Sequence, residues 1–245
     1  MLLRQDQHNK LFLLDPDAIK SGCTGLDEYE IAPMRKILDW ARHYLFKPSP
    51  RLGRKGPVCP FVKPALEQHR SLFLTSVRTP HLNVDALAEK LYGYRDWFTR
   101  LEPTDCVKRN FKTILVMLPD LCDLEKGPEF IESVHSRLKP DWVKMGLMLG
   151  QFYPSCDAEG LHNADYRPLQ SPTPLLVMRH MQLTDLPFLV KTEQFIRSYC
   201  RTFAVQDAQE LQRRITEAQI PKLPRNWDEC IARVFSQPEL LVGEG

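Results

Sequence analysis

No apolar stretch in this chain reaches the ~18–20 residues that a membrane-spanning helix requires, which sets aside a membrane role. The N-terminus, MLLRQDQHNKLFLLDPDAIK, lacks the continuous apolar core and small-residue cleavage site of a signal peptide, so a cytoplasmic protein is expected. No CxxC pair occurs among the seven cysteines, at 23, 59, 106, 122, 156, 200 and 230, and their number is odd. That pattern suits reduced intracellular thiols and speaks against a disulfide framework or a zinc site. Charge of one sign is also missing. With 33 Lys+Arg against 31 Asp+Glu, the formal charge of +2 offers no basic face for binding nucleic acid by counterion release. Glycine is sparse, 11 residues against 20 prolines, so many connections are stiff. Neither a phosphate loop, GxGxxG, HExxH nor GxSxG is present, and no internal repeat appears.

What remains is ordinary globular composition, 43% hydrophobic and 26% charged, in 245 residues that can bury a core without metal or disulfide staples. Residues 1–30 are weakly periodic and are expected to form an N-terminal arm, partly disordered. A single domain is expected over 31–221, with a C-terminal tail over 222–245. Helical spacing marks Met34–Phe46, with Pro33 at its start, and a short helix opened by Cys59-Pro60-Phe61. Asn83 caps a helix carrying Leu87, Leu91, Tyr94 and Phe98 on one face, and Glu129–Leu138 is a helix stopped ahead of Pro140. Thr184 or Asp185 caps another with Pro187 in its first turn, and Asp207–Ile220 is amphipathic. Strands are expected over Ser71–Val77, Phe111–Leu118, Leu147–Phe152 and Leu175–Met181. The order predicts an α+β fold: a mixed sheet of about four or five strands with helices packed on its faces.

Between the last two strands lies a loop, Tyr153–Pro174, with neither helical nor strand period. A connection of that length inside a compact domain is uncommon and is functional or disordered. Pro154, Pro168, Pro172 and Pro174 stiffen it, and His162, Asp165, Arg167 and Gln170 can fix a polar ligand. His162 follows Gly160-Leu161 and could ligate a metal or act as a base oriented by Asp165, or simply bond local backbone. Arg167 and Arg179 bracket the proline run and could clamp a carboxylate, a phosphate or haem propionates, or else Arg179 forms a structural ion pair. Cys59, in GPVCPF, sits at or just before a helix N-terminus beside Arg54 and Lys55, surroundings that favour a thiolate. It could equally pack as a small hydrophobe.

The motifs GPVCPF (56–61), LKPDWVKMGLMLGQFYP (138–154), GLHN (160–163) and RPLQSPTPLLVMRHMQLTDLPFL (167–189) resemble a bacterial family described only as a domain of unknown function. Members of that family turn up near natural-product genes, and the likeness brings no activity. The Cys-Pro-Phe motif and the strand–loop–strand segment with His, Arg and Ser-Pro residues are also similar to YqcI/YcgG-type haem proteins, which include arginine N-hydroxylases. In place of that family's aromatic-rich acidic loop, this chain carries DAEGLHNADYRP. The second resemblance implies haem as cofactor, Cys59 or His162 as alternative axial iron ligands and catalytic residues, and Arg167 or Arg179 beside a propionate or the substrate. The expected function is then a haem-binding oxidase or oxygenase of secondary metabolism acting on an amino-acid-like small molecule. The alternative is a non-catalytic module that binds a small acidic ligand or a partner protein through the 153–174 loop. A cysteine-dependent transferase using Cys59 with His162 is a third possibility.

Overall fold

In the computed structural model, residues 3–6, 11–22, 24–105, 107–122 and 124–237 are described. Cys23, Cys106 and the end of the expected tail (238–245) lie outside them. The chain divides into two compact units, Met1–Leu138 with Leu149–His180, and Lys139–Met148 with Met181–Gly245.

The first residues pair as strands β1 (Leu3–Asp6) and β2 (Leu11–Leu14). Helices α1 (Pro16–Ser21) and α2 (Glu28–Trp40) follow, then β3 (Leu72–Ser76), α3 (Val84–Arg100), β4 (Thr113–Met117) and α4 (Gly127–Lys144). Strands β5 (Leu147–Phe152) and β6 (Leu175–His180) flank the long loop. The α+β expectation holds, with six strands in the order β1-β2-β3-β4-β6-β5. The extra strands fall in the stretch expected to be an arm. Each is only four residues long, too short for alternation to show, and β2 joins the sheet through a single non-local pairing of Leu14 with Leu74.

Strand β4 is central and all five of its residues are buried, as its unbroken apolar sequence requires. It runs parallel to β3, with α3 as the crossover, and antiparallel to β6. On one face Leu72, Leu74, Leu115, Met117 and Leu175 meet Met34, Ile37, Leu38 and Ala41 of the α2 segment. Alternation turns Thr75, Val116 and His180 to the opposite face. There Thr75 bonds Tyr94 of α3 hydroxyl to hydroxyl at 2.8 Å, and Phe98 lies 5.0 Å from the His180 ring.

Two helices pass through prolines that were expected to bound them. Asp27 caps α2 by accepting the Glu30 N–H at 3.0 Å, so the helix begins five residues before Pro33 and buries Ile31. Helix α4 continues through Pro140 to Lys144. A helical proline costs about 3 kcal/mol; the last turn of α4 offsets this by burying Trp142 and Val143 completely.

In the second unit, the single helix expected from Thr184 resolves into a 3-10 turn, Leu183–Phe188, and α5 (Glu193–Thr202), capped by Thr192. Helices α6 (Ala208–Glu217) and α7 (Trp227–Phe235) complete a small core around Tyr199, Leu211, Ile215 and Val234. Glu193 accepts from both Arg197 and Arg233, and Arg197 also donates to the Val234 carbonyl at 2.8 Å, which closes the end of α7. Among the described residues no helix is long and apolar enough to cross a membrane.

The topology gathers one edge of the sheet. The carboxyl ends of β3 and β4 lie side by side, and Met117 pairs with Leu175, where the long loop re-enters the sheet. Open α/β sheets receive ligands outside the carboxyl ends of their parallel strands.

Burial of His180, together with the Lys112 and Arg109 charges, pushes its imidazole down to about 4 from an ordinary 6.5. The unfolded ring protonates first as pH falls, so stability is full above about 6.5 and declines toward pH 4, by at most about 3 kcal/mol. In urea unfolding at about pH 7 and about pH 4.5, His180→Phe is expected to lose about 2–3 kcal/mol less than the parent. Equal losses in the two proteins would contradict this.

Candidate functional site

Helix α2 does not end as an α-helix. It passes into a π-helical turn, Ala41–Leu45, closed by the Phe46 N–H on the Ala41 carbonyl at 3.0 Å. Such widened turns concentrate at functional sites. The apolar side of this turn, Ala41 and Leu45, belongs to the core under the sheet. Trp40 and Tyr44, four residues apart, stand together off that side with ring centroids 5.5 Å apart and nearly parallel, and Phe152 meets Trp40 edge-on at 6.0 Å.

The chain then makes a hairpin-like excursion. Cys59 N–H donates to the Leu45 carbonyl, Val58 N–H to the Lys47 carbonyl, and Pro48 bridges Pro57. At the tip is a 3-10 turn, Pro50–Leu52, carrying Arg51. The tip is stitched to the long loop: Arg51 Nη2 donates to the Asp165 carbonyl at 3.2 Å, and Asn163 Nδ2 donates to the Arg51 carbonyl at 2.9 Å. The Arg51 guanidinium lies 5.0 Å from the Tyr166 ring centroid, a cation–π contact.

The loop is ordered by its own bonds. Gly160 N–H donates to the Tyr166 carbonyl at 2.8 Å, and Tyr166 N–H returns to Asn163 at 3.2 Å. At its start Tyr153, 4% exposed, donates its hydroxyl to Glu132 of α4. In its middle, the Tyr166 and Tyr44 hydroxyls are hydrogen-bonded at 2.6 Å, and Tyr44 also donates to the Pro168 carbonyl at 3.3 Å. Burial and the Tyr166 hydrogen bond push the Tyr44 hydroxyl up, so it stays protonated at physiological pH.

Together these pieces enclose an open cleft of about 290 Å³, lined by Trp40, Tyr44, Arg51, Tyr166, Arg167 and Gln170. That volume is at the small end of ligand sites, about 300–1,000 Å³. Arg167 donates through Nε to Asp157 at 2.6 Å, and through Nη1 to the Ala164 carbonyl. The Asp157 hydrogen bond holds its guanidinium further above the ordinary range. Its Nη2, the Arg51 Nε and Nη1, and the Gln170 carboxamide make no hydrogen bond to other described residues. The cleft therefore presents unspent N–H donors between aromatic walls.

Of the residues singled out in the sequence, Arg167 and Gln170 line this cleft and Asp165 adjoins it through its backbone. Cys59 packs half-buried against the core at the base of the excursion. The short helix expected after Cys59-Pro60-Phe61 is present over 62–68, π-helical in its last five residues, Pro64–Gln68. His162 packs against Gly53, where it has no hydrogen-bonded ring partner among the described residues, and neither Cys59 nor His162 lines the cleft. Arg179 is near the far end of β6, about 14 Å along the strand from Leu175, with its guanidinium over Phe61 and Nη1 on the His180 carbonyl. The clamp of Arg167 with Arg179 is not assembled. No group of three or more His, Cys, Asp or Glu side chains among the described residues is placed to hold a metal.

A family model described as "Domain of unknown function (DUF6875)" matches residues 34–214. The chain belongs to that family. Every lining residue of the cleft falls inside the matched span, whereas β1, β2 and α1 precede it. No curated protein and no solved structure matches the chain.

Trp40, Tyr44, Arg51 and Tyr166 were not anticipated. The available signal was the aromatic pair four residues apart on a helix whose apolar face is already filled by Ile37, Leu38, Ala41 and Leu45.

Gly53 has φ +69°, and a Cβ there would meet the His162 Cβ and carbonyl oxygen at 2.9 Å each, whereas Gly25, at φ +72°, faces open space. Gly25→Ala is expected to cost about 1 kcal/mol of left-handed strain and Gly53→Ala at least about 1 kcal/mol more, because loop backbone must move. Chemical unfolding of the two variants checks this, and equal costs would mean the excursion and loop are not in contact.

Proposed function

We propose that the cleft binds a small acidic ligand, gripped by Arg51 and Arg167 between aromatic walls, and that the 153–174 loop acts as a binding element. The observation that carries the reading is the pair of guanidiniums with unspent N–H donors on the rim of one cleft. A guanidinium is always charged, and its planar fork matches the two oxygens of a carboxylate or a phosphate. Further positive charge from Lys47, Arg54 and Lys55 on the same excursion raises the local concentration of anions. The Tyr44 and Tyr166 hydroxyls are bonded to each other, so they serve better as a brace than as a proton-transfer pair.

The haem oxygenase reading is the rival. It requires iron beside Cys59 or His162, and neither residue is part of the cleft lining. It therefore has the weaker support.

The test is a titration of ¹⁵N-labelled protein with sodium acetate and then inorganic phosphate, followed by amide shifts. Shifts are expected to cluster at Arg51 and at Asn163–Gln170. Arg51→Ala and Arg167→Ala should each weaken binding by roughly 3- to 10-fold, with Cys59→Ala silent. The proposal fails if no shift appears there, or if protein expressed with a haem precursor has a Soret band that Cys59→Ala or His162→Ala abolishes.

A further inference from the structure

None of the six side chains that line the cleft is aliphatic. Its apolar contact surface comes from the rings of Trp40, Tyr44 and Tyr166, and its polar surface from two planar guanidiniums and one planar carboxamide. Rings and guanidiniums attract flat partners by offset stacking and cation–π contact, while a puckered or branched group gains little beyond area. The rings are also held in place: Trp40 is packed between Tyr44 and Phe152, and Tyr166 between the Tyr44 hydroxyl and the Arg51 guanidinium. Flatness in the ligand is thus matched by surfaces that need no rearrangement.

Charge narrows the class further. Arg167 is already paired with the Asp157 carboxylate, and the exposed Asp165 carboxylate lies close enough to act on the Arg167 charge. Arg51 has no ion pair with any described residue. Of the two lining guanidiniums only Arg51 is free of an ion pair, with Arg167 Nη2 as a further donor, an arrangement that suits one carboxylate. The volume, about 290 Å³, accommodates a single ring with its substituents.

We infer that the ligand of this cleft is a flat-ring monocarboxylate, its ring against the Trp40–Tyr44–Tyr166 wall and its carboxylate on Arg51 and Arg167. This rests on the small-anion reading and names its chemical class.

The experiment compares four probes on the unmodified full chain by calorimetric or NMR titration: sodium benzoate, cyclohexanecarboxylate, acetate and adenosine monophosphate. Benzoate is expected to bind roughly tenfold more tightly than cyclohexanecarboxylate, its puckered counterpart of the same charge and similar area, and more tightly still than acetate. In Trp40→Leu that preference, read as the ratio of the two affinities in the same variant, should shrink to about threefold or less. If benzoate and cyclohexanecarboxylate bind equally, the flat-ring inference is wrong and the small-anion reading stands. Tighter binding of the nucleotide than of benzoate overturns the monocarboxylate class. If none of the four binds, both fall.

Discussion

The hydrogen bond between the Tyr44 and Tyr166 hydroxyls, 2.6 Å long, joins two points 122 residues apart in sequence. It ties a loop with no regular structure to a helical turn rooted in the core. Loop residues gain fixed positions only when contacts of this kind offset the conformational entropy of ordering them, about 1–2 kcal/mol per residue for the backbone alone. The rest of the cleft depends on it. Tyr166 must be held for Arg51 to lie over its ring, and the backbone just before Tyr166 carries the Ala164 and Asp165 carbonyls that Arg167 and Arg51 use.

Three sequence-distant segments thus build one surface because the sheet brings their anchors together. Phe152 and Leu175 fix the two ends of the loop, and Trp40 touches Phe152 directly. The π-helical turn carries Tyr44, and the excursion that begins just after it carries Arg51 and returns through Cys59 to the Leu45 carbonyl. Cys59 acquires a structural role in this arrangement: its backbone closes the base of the excursion whose tip supplies a guanidinium. The π-helical turn keeps Ala41 and Leu45 in the core while Tyr44 reaches the loop.

Much of the fold was legible from sequence. The apolar run of β4, the Asn83 cap of α3 and the strand–loop–strand segment are where local pattern and tertiary context agree. Pattern failed where distant burial overruled a local rule. Pro33 and Pro140 read as boundaries, yet both sit inside helices: Asp27 and Ile31 extend α2 ahead of the first, and Trp142 and Val143 carry α4 past the second. The site was half legible. Loop length and proline content pointed to 153–174, and Arg167 and Gln170 were found there. Arg51 and Tyr44 were missed because their importance is created by contacts more than 110 residues away, for which one sequence has no periodic signature. Attention to Cys59 and His162 followed side-chain chemistry, whereas the fold uses both positions for backbone and packing contacts.

A double-mutant cycle on Tyr44→Phe, Tyr166→Phe and the pair, measured by urea unfolding, is the most direct test that this bond organises the site. The account expects a coupling of about 0.5–1.5 kcal/mol, the worth of one intramolecular hydrogen bond, so that the double variant loses less than the sum of the singles. Strict additivity would mean that the two hydroxyls do not bond in solution and that the loop is held by something else.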